Sequence, residues 1–211
     1  MKQDELRTSL RKPPGRPRNS AGTAELLVRA ALDLFAGQNY ASVTIKDIAQ
    51  ATGVNASLIY YYFGSKEGLF LEVVESTALR AFESFDAIRK DGISPEETVS
   101  LWIENHILQF PLMQKLIKIS IDYATTHDRS ARIDLAIRKF YDIEAKVLGE
   151  ALRDGIARGV FAPVDVDHMT TFISTFLDGV LVRAVMFPAF DARSAIQDLR
   201  GFVLAQLVMA K

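Results

Sequence analysis

Residues 44–66 constrain this chain more than any other part of its sequence, T-I-K-D-I-A-Q-A-T-G-V-N-A-S-L-I-Y-Y-Y-F-G-S-K. Two runs of helix-forming residues, 45–52 and 56–63, are separated by only three residues. Gly53 follows the first run, where helices commonly end in a left-handed conformation that glycine adopts without strain. The stretch therefore predicts a helix-turn-helix, a motif whose second helix enters the DNA major groove in many DNA-binding proteins.

The residues before the two runs support this prediction. Thr44 and Asn55 each carry a side-chain oxygen that can cap the free N–H groups at the start of a helix. The second helix has two different sides when its residues are placed about 100° apart. Its apolar side carries Leu58, Ile59, Tyr62 and Phe63, and the opposite side carries Ala56, Ser57, Tyr60 and Tyr61. Small groups and hydroxyls on that second side suit contact with base edges and phosphates.

A helical hairpin with surface tyrosines would show the same pattern, so the motif alone leaves both interpretations open. The DNA interpretation predicts contacts from the second helix, from the residues that flank it and from basic residues nearby. The candidate DNA contacts are Thr44, Lys46, Asn55, Ala56, Ser57, Tyr60, Tyr61, Lys66, Arg16 and Arg18.

Neighbouring segments make a family resemblance specific. A-A-L-D-L-F at 30–35, T-I-K-D-I-A-x-x-x-G-V at 44–54 and L-I-Y-Y-Y-F-x-S-K-E-x-L at 58–69 resemble the DNA-binding domain of the tetracycline-repressor (TetR) family. The resemblance is dense over residues 24–71, about a quarter of the chain, and elsewhere covers only length and helical character. It implies a dimeric DNA-binding repressor that a small molecule releases from a palindromic operator.

Two positions within the resemblance leave alternatives open. The family carries Tyr-Tyr-His-Phe or close variants in its second helix, whereas this chain has Tyr62 in place of the histidine. Tyr62 either bonds a phosphate through its hydroxyl or only packs within the protein, and the sequence leaves both possibilities open. The resemblance implies that Lys66 contacts a DNA phosphate, and a solvated surface lysine is the alternative.

Charge is distributed unevenly along the chain. The formal net charge is −1, yet residues 1–70 hold nine Lys and Arg against six Asp and Glu, a net charge of +3. The remaining residues, 71–211, hold 16 against 20, a net charge of −4. This asymmetry favours nucleic acid binding at the N-terminal end only. Within residues 1–19, R-K-P-P-G-R-P-R predicts a flexible basic arm that either enters the minor groove or touches phosphates loosely.

Composition excludes several other classes. The chain has no cysteine, so no disulfide or thiolate metal site is available, and we expect a cytoplasmic protein. No apolar run approaches a membrane span in length, and we expect no membrane partner. His106, His127 and His168 lack partners at metal-binding or catalytic spacing, so we predict no enzyme, no metal and no cofactor. Asp165, Asp167 and His168 could hold a cation, but helix capping explains both aspartates.

The periodicity beyond residue 68 predicts an all-α fold. Domains are expected at 1–19 (arm), 20–68 (helix-turn-helix) and 69–211 (a helical bundle for effector binding and dimerisation). Predicted helices cover 20–37, 69–90, 95–109, 112–126, 130–158, 166–186 and 192–210, with a break at Pro111.

The helical body carries two candidate sites. The last two helices are apolar on more than one face, which predicts a two-fold dimer interface at Phe176, Gly179, Val180, Arg183, Leu199, Phe202 and Val203. Bulky residues on facing helices predict an effector pocket, and plain core packing is the alternative for each of them. The pocket candidates are Trp102, His106, Phe110, Met113, Tyr123, Phe140, Tyr141, Phe172 and Phe176.

The sequence is compatible with three functions. A ligand-responsive DNA-binding repressor accounts for the motif, the charge asymmetry and the helical body together. A helical ligand-binding or adaptor protein without DNA binding, and a regulator that acts without a ligand or as an activator, are the alternatives. The expected partners are double-stranded DNA, a second copy of the chain and an unidentified small molecule.

Overall fold

The computed structural model describes residues 18–89, 92–125 and 129–207. Within these ranges the structure is helical and contains no β-strand, which confirms the all-α prediction. The helices are α1 (Arg18–Gly37), α2 (Ile45–Thr52), α3 (Ala56–Phe63), α4 (Lys66–Ile88), α5 (Pro95–Leu108), α6 (Phe110–Ala124), α7 (Ala131–Ala157), α8 (Val166–Met186) and α9 (Ala192–Leu207).

The predicted caps of the helix-turn-helix are present. Thr44 forms a capping box with Asp47: the Asp47 N–H donates to Thr44 Oγ1 at 3.2 Å, and the Thr44 N–H donates to Asp47 Oδ2 at 2.8 Å. Asn55 Oδ1 accepts from the Ser57 N–H at 2.9 Å at the start of α3. Gly53 has φ 68°, the left-handed conformation expected after α2.

Caps further along the chain are also confirmed. Ser94 and Glu97 form a second capping box, with Pro95 as the first residue of α5. Asp165, not Asp167, caps α8 through the His168 N–H at 2.9 Å. The break predicted at Pro111 is wrong, because α6 begins at Phe110 and includes this proline. A proline in the first turn of a helix removes no intrahelical hydrogen bond.

The chain divides into two compact units that cut across the expected domain limits. Unit 1 comprises Met1–Leu79 and Lys118–Arg138. In it α1 packs against α2 and α3, and Leu27, Ile48 and Ile59 are fully buried. An aromatic cluster extends this core. The rings of Phe35, Tyr40 and Tyr123 each lie near the Phe70 ring, with centroid distances of 5.2 Å, 4.7 Å and 5.4 Å, respectively.

Unit 2 comprises Arg80–Ile117 and Lys139–Lys211. Here α9 packs against α5 and α8. Buried side chains of α5 and α9 include Val99, Ile103, Ile196, Leu199 and Val203. The structure places these apolar side chains in the interior of a single chain.

The expectation that no segment approaches a membrane span is wrong for α8. By length and composition Val166–Met186 is apolar enough to cross a membrane, with a mean hydropathy of 1.4, and 28% of that window is buried. Its interior does carry Asp178 and Arg183. Part of the apolar surface of α8 is buried inside unit 2, where α8 packs against α9, and exposed phenylalanines of α8 belong to the apolar face described below.

Candidate DNA-binding surface and interior cavities

The exposed side of α3 is the candidate DNA-reading surface. Ile59 is fully buried, whereas Tyr60 is 55% and Tyr61 71% exposed. Ser57 is also exposed, on the first turn after the Asn55 cap. The burial of one side thus turns the two tyrosine rings outward, as the sequence pattern predicts. Leu58 is 39% exposed and does not join the core, because α3 has only two turns and Leu58 lies at the edge of its apolar side.

Lys66 does not extend freely from the start of α4. Its ammonium lies 4.4 Å from the centroid of the Tyr40 ring and donates a hydrogen bond of 3.4 Å to the Ala41 carbonyl. Partial burial lowers the pKa of Lys66, while the nearby Asp47 carboxylate raises it. The side chain therefore sits at the edge of the helix-turn-helix with its charge held against an aromatic face.

The other candidate DNA contacts have varied surroundings. Lys46 is exposed on α2, and the Thr44 hydroxyl donates to Asp47 Oδ2 at 2.7 Å. Hydrogen bonds from Thr44 lower the pKa of Asp47. Arg18 is the first residue of α1, and Arg16, like the rest of the predicted arm up to residue 17, lies outside the described residues.

An aromatic cavity lies inside unit 2 between α4, α5, α6 and α7. Its lining includes Phe82, Trp102, His106, Met113 and Phe140, so four predicted pocket residues do converge. The cavity is small, about 10 Å³, which is room for a single water molecule. The His106 Nδ1–H donates to the Trp102 carbonyl at 3.1 Å, and burial lowers the pKa of His106, so the ring is neutral.

A second, hydroxyl-rich cavity of about 250 Å³ lies between α7 and α8 of unit 2. Tyr141 is the one predicted pocket residue in its lining. The lining also includes Glu144, Thr170, Ser174 and Asp178, none of which the sequence prediction included. A signal was available, since Glu144 interrupts the apolar stripe of α7 and Asp178 interrupts that of α8.

Glu144 connects the two cavities. Its Oε1 accepts from the indole Nε1–H of Trp102 at 3.3 Å, and its Oε2 accepts from the Ser174 hydroxyl. The residue is 3% exposed, and burial raises its pKa. The neutral His106 ring places Nε2 4.0 Å from Glu144 Oε1.

Asp178 is the second carboxylate of the hydroxyl-rich cavity. Its Oδ2 accepts from the Tyr141 hydroxyl at 2.9 Å. Burial, and to a smaller extent the nearby Glu144 carboxylate, raise the pKa of Asp178 to about 6, although the hydrogen bond from Tyr141 acts in the opposite direction. The pKa of Tyr141 is also raised, chiefly by burial and then by the charge of Asp178.

The remaining pocket candidates lie elsewhere. Tyr123 belongs to unit 1, where its ring stacks on Phe70 at 5.4 Å. Phe110 is partly buried in the first turn of α6. Phe172 and Phe176 are 42% and 38% exposed on α8. The sequence could show that these residues are bulky and apolar but not which neighbour covers each of them.

An exposed apolar surface runs along α8 and α9. Phe172 lies 6.3 Å from Phe176 and 5.8 Å from Phe202 between ring centroids, and Phe202 is 53% exposed. We call these three residues the phenylalanine face. Gly179 is exposed with no neighbouring atom where a Cβ would lie, and Arg183 is exposed beside the Phe190 ring.

Three residues predicted for the dimer interface are not available to a partner. Val180 is 4%, Leu199 2% and Val203 0% exposed, because α5, α8 and α9 bury them within one chain. The prediction is wrong for these positions. When a helix is apolar on more than one side, its sequence does not show which side faces the interior of its own chain.

Comparison with known proteins agrees with the geometry. Residues 27–73 match the family model for bacterial regulatory proteins of the tetR family. Residues 121–208 match the model for the C-terminal region of BetI-type transcriptional repressors. The first match covers the helix-turn-helix, and the second covers the end of α6 together with α7, α8 and α9.

Individual relatives cover most of the chain. The transcriptional regulator BetI from Agrobacterium fabrum is 46% identical over 159 residues, 74% of each chain. The repressor AcnR from Corynebacterium glutamicum is 25% identical over 82% of this chain and 87% of its own. A regulator from Saccharomonospora viridis, crystallised with choline, shares the fold with a TM-score of 0.79 and 22% identity over 90% of this chain and all of its own. The chain therefore belongs to the TetR family and is a DNA-binding transcriptional regulator.

Proposed function

We propose that this regulator is a repressor that binds a near-palindromic operator as a homodimer and leaves it when a small molecule binds in unit 2. The observation that most supports operator binding is the outward placement of Tyr60 and Tyr61 on a capped helix whose opposite residue, Ile59, is fully buried. The same helix-turn-helix carries the other candidate contacts Ser57, Asn55, Thr44 and Lys46, and Arg16 and Arg18 would add phosphate or minor-groove contacts.

The phenylalanine face supports the homodimer. Three exposed phenylalanines on two neighbouring helices form an apolar surface of a kind that usually marks an interface. Gly179 beside it leaves room for a close approach by a helix of the second copy. A two-fold dimer would present two copies of α3 about one turn of DNA apart, or a multiple of it, which matches a palindromic site.

The cavities of unit 2 support control by a small molecule. The S. viridis regulator with the same fold was crystallised with choline, so this architecture does accommodate a ligand. A ligand that binds better to a DNA-incompetent conformation lowers operator affinity by no more than its preference between the two conformations.

Selection of bound DNA from a random pool by the full chain tests the proposal. We expect recovery of a two-fold symmetric sequence whose half-site spacing reports the dimer geometry. Tyr60→Ala and Tyr61→Ala should weaken binding to that sequence, while Leu135→Ala, at an exposed apolar residue of α7, should not. Recovery of no enriched sequence, with helical circular dichroism intact, would contradict the proposal and favour the adaptor alternative.

Transcription from a promoter that contains the selected site separates the remaining alternatives. A repressor lowers transcription until its ligand is added. Higher transcription upon protein binding would identify an activator instead.

A further inference from the structure

The DNA-binding unit includes a segment that lies far from the helix-turn-helix in sequence. Unit 1 joins Met1–Leu79 to Lys118–Arg138, and this second range contains the end of α6 and the start of α7. The Ser130 hydroxyl donates to Glu67 Oε1 at 2.5 Å, in the first turn of α4 and next to Lys66 in the chain. Part of the DNA-binding unit therefore comes from outside the helix-turn-helix.

Asp122, in the last turn of α6, holds the loop that precedes α2. Its Oδ2 accepts a hydrogen bond of 2.5 Å from the main-chain N–H of Tyr40, a residue 82 positions away in sequence. A carboxylate in the last turn of a helix opposes the helix dipole and is unfavourable there by itself. The bond to Tyr40 offsets that cost and satisfies a main-chain donor in a partly buried environment. Asp122 therefore fixes the main chain of this loop.

Lys66 is ordered against the same loop. Its ammonium lies 4.4 Å from the centroid of the Tyr40 ring and donates to the Ala41 carbonyl at 3.4 Å. Both contacts thus involve the residue that Asp122 binds or its immediate neighbour. A free lysine side chain loses rotamer freedom when it binds a phosphate, and a side chain that is already ordered loses less. Ordering Lys66 before DNA arrives therefore favours the phosphate contact.

The aromatic cluster and Asp122 hold different parts of the loop. The Tyr40 ring packs edge-on against Phe70 at 4.7 Å and against Tyr123 at 6.1 Å, so the cluster orders its side chain. Ala41 is exposed, and its small side chain adds no comparable packing. The position of the Ala41 carbonyl therefore depends on its main-chain neighbours, and the Asp122 bond to the Tyr40 N–H is adjacent to it.

We propose that Asp122, which lies outside the helix-turn-helix, is a positioning residue for DNA binding, because it holds the loop that orders Lys66 for a phosphate contact. This inference rests on the proposed function, in which Lys66 is an operator contact. Asp122 is itself negatively charged and would repel a phosphate, so it acts on DNA through Lys66. Its charge and its hydrogen bond consequently have opposite effects on operator affinity.

Operator affinity of full-length variants separates these two effects. The probe is the symmetric sequence recovered by selection, and fluorescence anisotropy measures binding. Asp122→Asn removes the charge but keeps an acceptor oxygen, so we expect affinity equal to or above that of the wild type. Asp122→Leu removes both in a similar volume and should weaken binding about fivefold. Asp142→Leu removes an equal charge from an exposed position of α7 and should not weaken it. Unweakened binding by the folded Asp122→Leu variant would overturn the proposal.

A double-mutant cycle tests whether Asp122 acts through Lys66. Asp122→Leu should lower the slope of log affinity against log salt by about one in the wild-type background, as loss of one phosphate contact does. In the Lys66→Ala background it should change affinity by less than about twofold, because the contact is already absent. An equal loss in both backgrounds would show general damage to the DNA-binding unit and would overturn the positioning role. Wild-type affinity of Lys66→Ala would overturn it too.

The amide signal of Tyr40 in a nuclear magnetic resonance spectrum reports the hydrogen bond without DNA. We expect slow hydrogen exchange at this amide in the wild type and in Asp122→Asn, and faster exchange in Asp122→Leu. Asp122→Ala replaces the leucine variant if that variant does not fold. Equal exchange in all folded variants would overturn the role of Asp122 and leave the DNA-binding regulator in place. A wild-type protein that selects no DNA sequence would instead contradict the proposed function, whatever the Tyr40 signal shows.

Discussion

The ammonium of Lys66 lies over the ring of Tyr40, 4.4 Å from its centroid, and donates a hydrogen bond to the carbonyl of Ala41. The lysine thus begins α4 with its charge directed toward the loop that precedes α2. A cation in the first turn opposes the helix dipole, and the aromatic ring and carbonyl offset part of that cost. Lys66 follows α3 by three residues in the chain, so its charge belongs to the helix-turn-helix region, which bears on the first prediction.

We expect Lys66→Ala to weaken operator binding and to reduce the slope of log affinity against log salt by about one, because a phosphate contact releases about one counterion. The measurement is fluorescence anisotropy over a series of salt concentrations. Lys118→Ala removes an equal charge from an exposed position on α6 and should leave the slope unchanged. An unchanged slope in both variants would assign Lys66 a purely structural role.

Gly53→Ala should lower the free energy of unfolding by about 1 kcal/mol, because a residue with a Cβ is strained in the left-handed conformation. The φ of Gly53 is 68°, and no atom lies near the position of an added Cβ, so backbone strain is the only penalty. Urea unfolding followed by circular dichroism measures the change. Gly37→Ala is the control, since Gly37 has neither a positive φ nor a close neighbour and its substitution should not destabilise.

Phe202→Asp should convert the dimer into a monomer at micromolar concentration. Phe202 is 53% exposed in the single chain, so the substitution disturbs little of the chain's own core while placing a charge within the phenylalanine face. Sedimentation velocity measures the change in mass. Leu135→Asp, at a residue 64% exposed on α7, is the control and should stay dimeric. A wild-type protein that sediments as a monomer would remove the homodimer from the proposed function.

Asp178→Asn should stabilise the ligand-free protein at neutral pH by an amount on the order of 2 kcal/mol. The folded-state pKa of Asp178 is about 6, above its usual value, so the folded protein holds this proton more tightly than the unfolded chain does. Asp178 therefore adds to the free energy of unfolding below its unfolded-state pKa, and this contribution is lost as pH rises through about 6.

Unfolding free energies measured between pH 4 and pH 8 check that prediction. The difference between wild type and variant should widen as pH rises through about 6 and then level off. The raised pKa of Glu144 acts in the same direction and the lowered pKa of His106 in the opposite one, so only the difference between the two proteins isolates Asp178. A constant difference over the whole range would show that Asp178 does not titrate there.

Sequence predicted the local features of this fold well, because caps and turns depend on a few adjacent residues. Side-chain chemistry at a fixed spacing predicted the caps at Thr44 and Asn55, the turn at Gly53 and the Ser94 capping box. The error at Pro111 has a local cause as well. A proline stops a helix only beyond its first turn, and α6 begins at Phe110, two residues before the predicted start, so Pro111 falls within that first turn.

The candidate sites were harder to predict, because burial depends on contacts between distant segments. Glu144 accepts a hydrogen bond from Trp102, 42 positions away, and no local pattern reveals that pairing. Leu199 and Phe202 lie three positions apart on α9, yet one is buried and the other exposed. The apolar period of α9 identifies both positions but gives no information on which of them α5 covers.

The tight connection at Gly53 has a consequence for how such regulators diversify. The main-chain turn, the two caps and the buried Ile48 and Ile59 fix the angle between α2 and α3, and none of them depends on the outward side chains. Apart from the caps Thr44 and Asn55, which are also candidate DNA contacts, the positions that set target preference thus differ from those that set the fold. After gene duplication, a copy can acquire a new target one surface substitution at a time while it keeps its architecture.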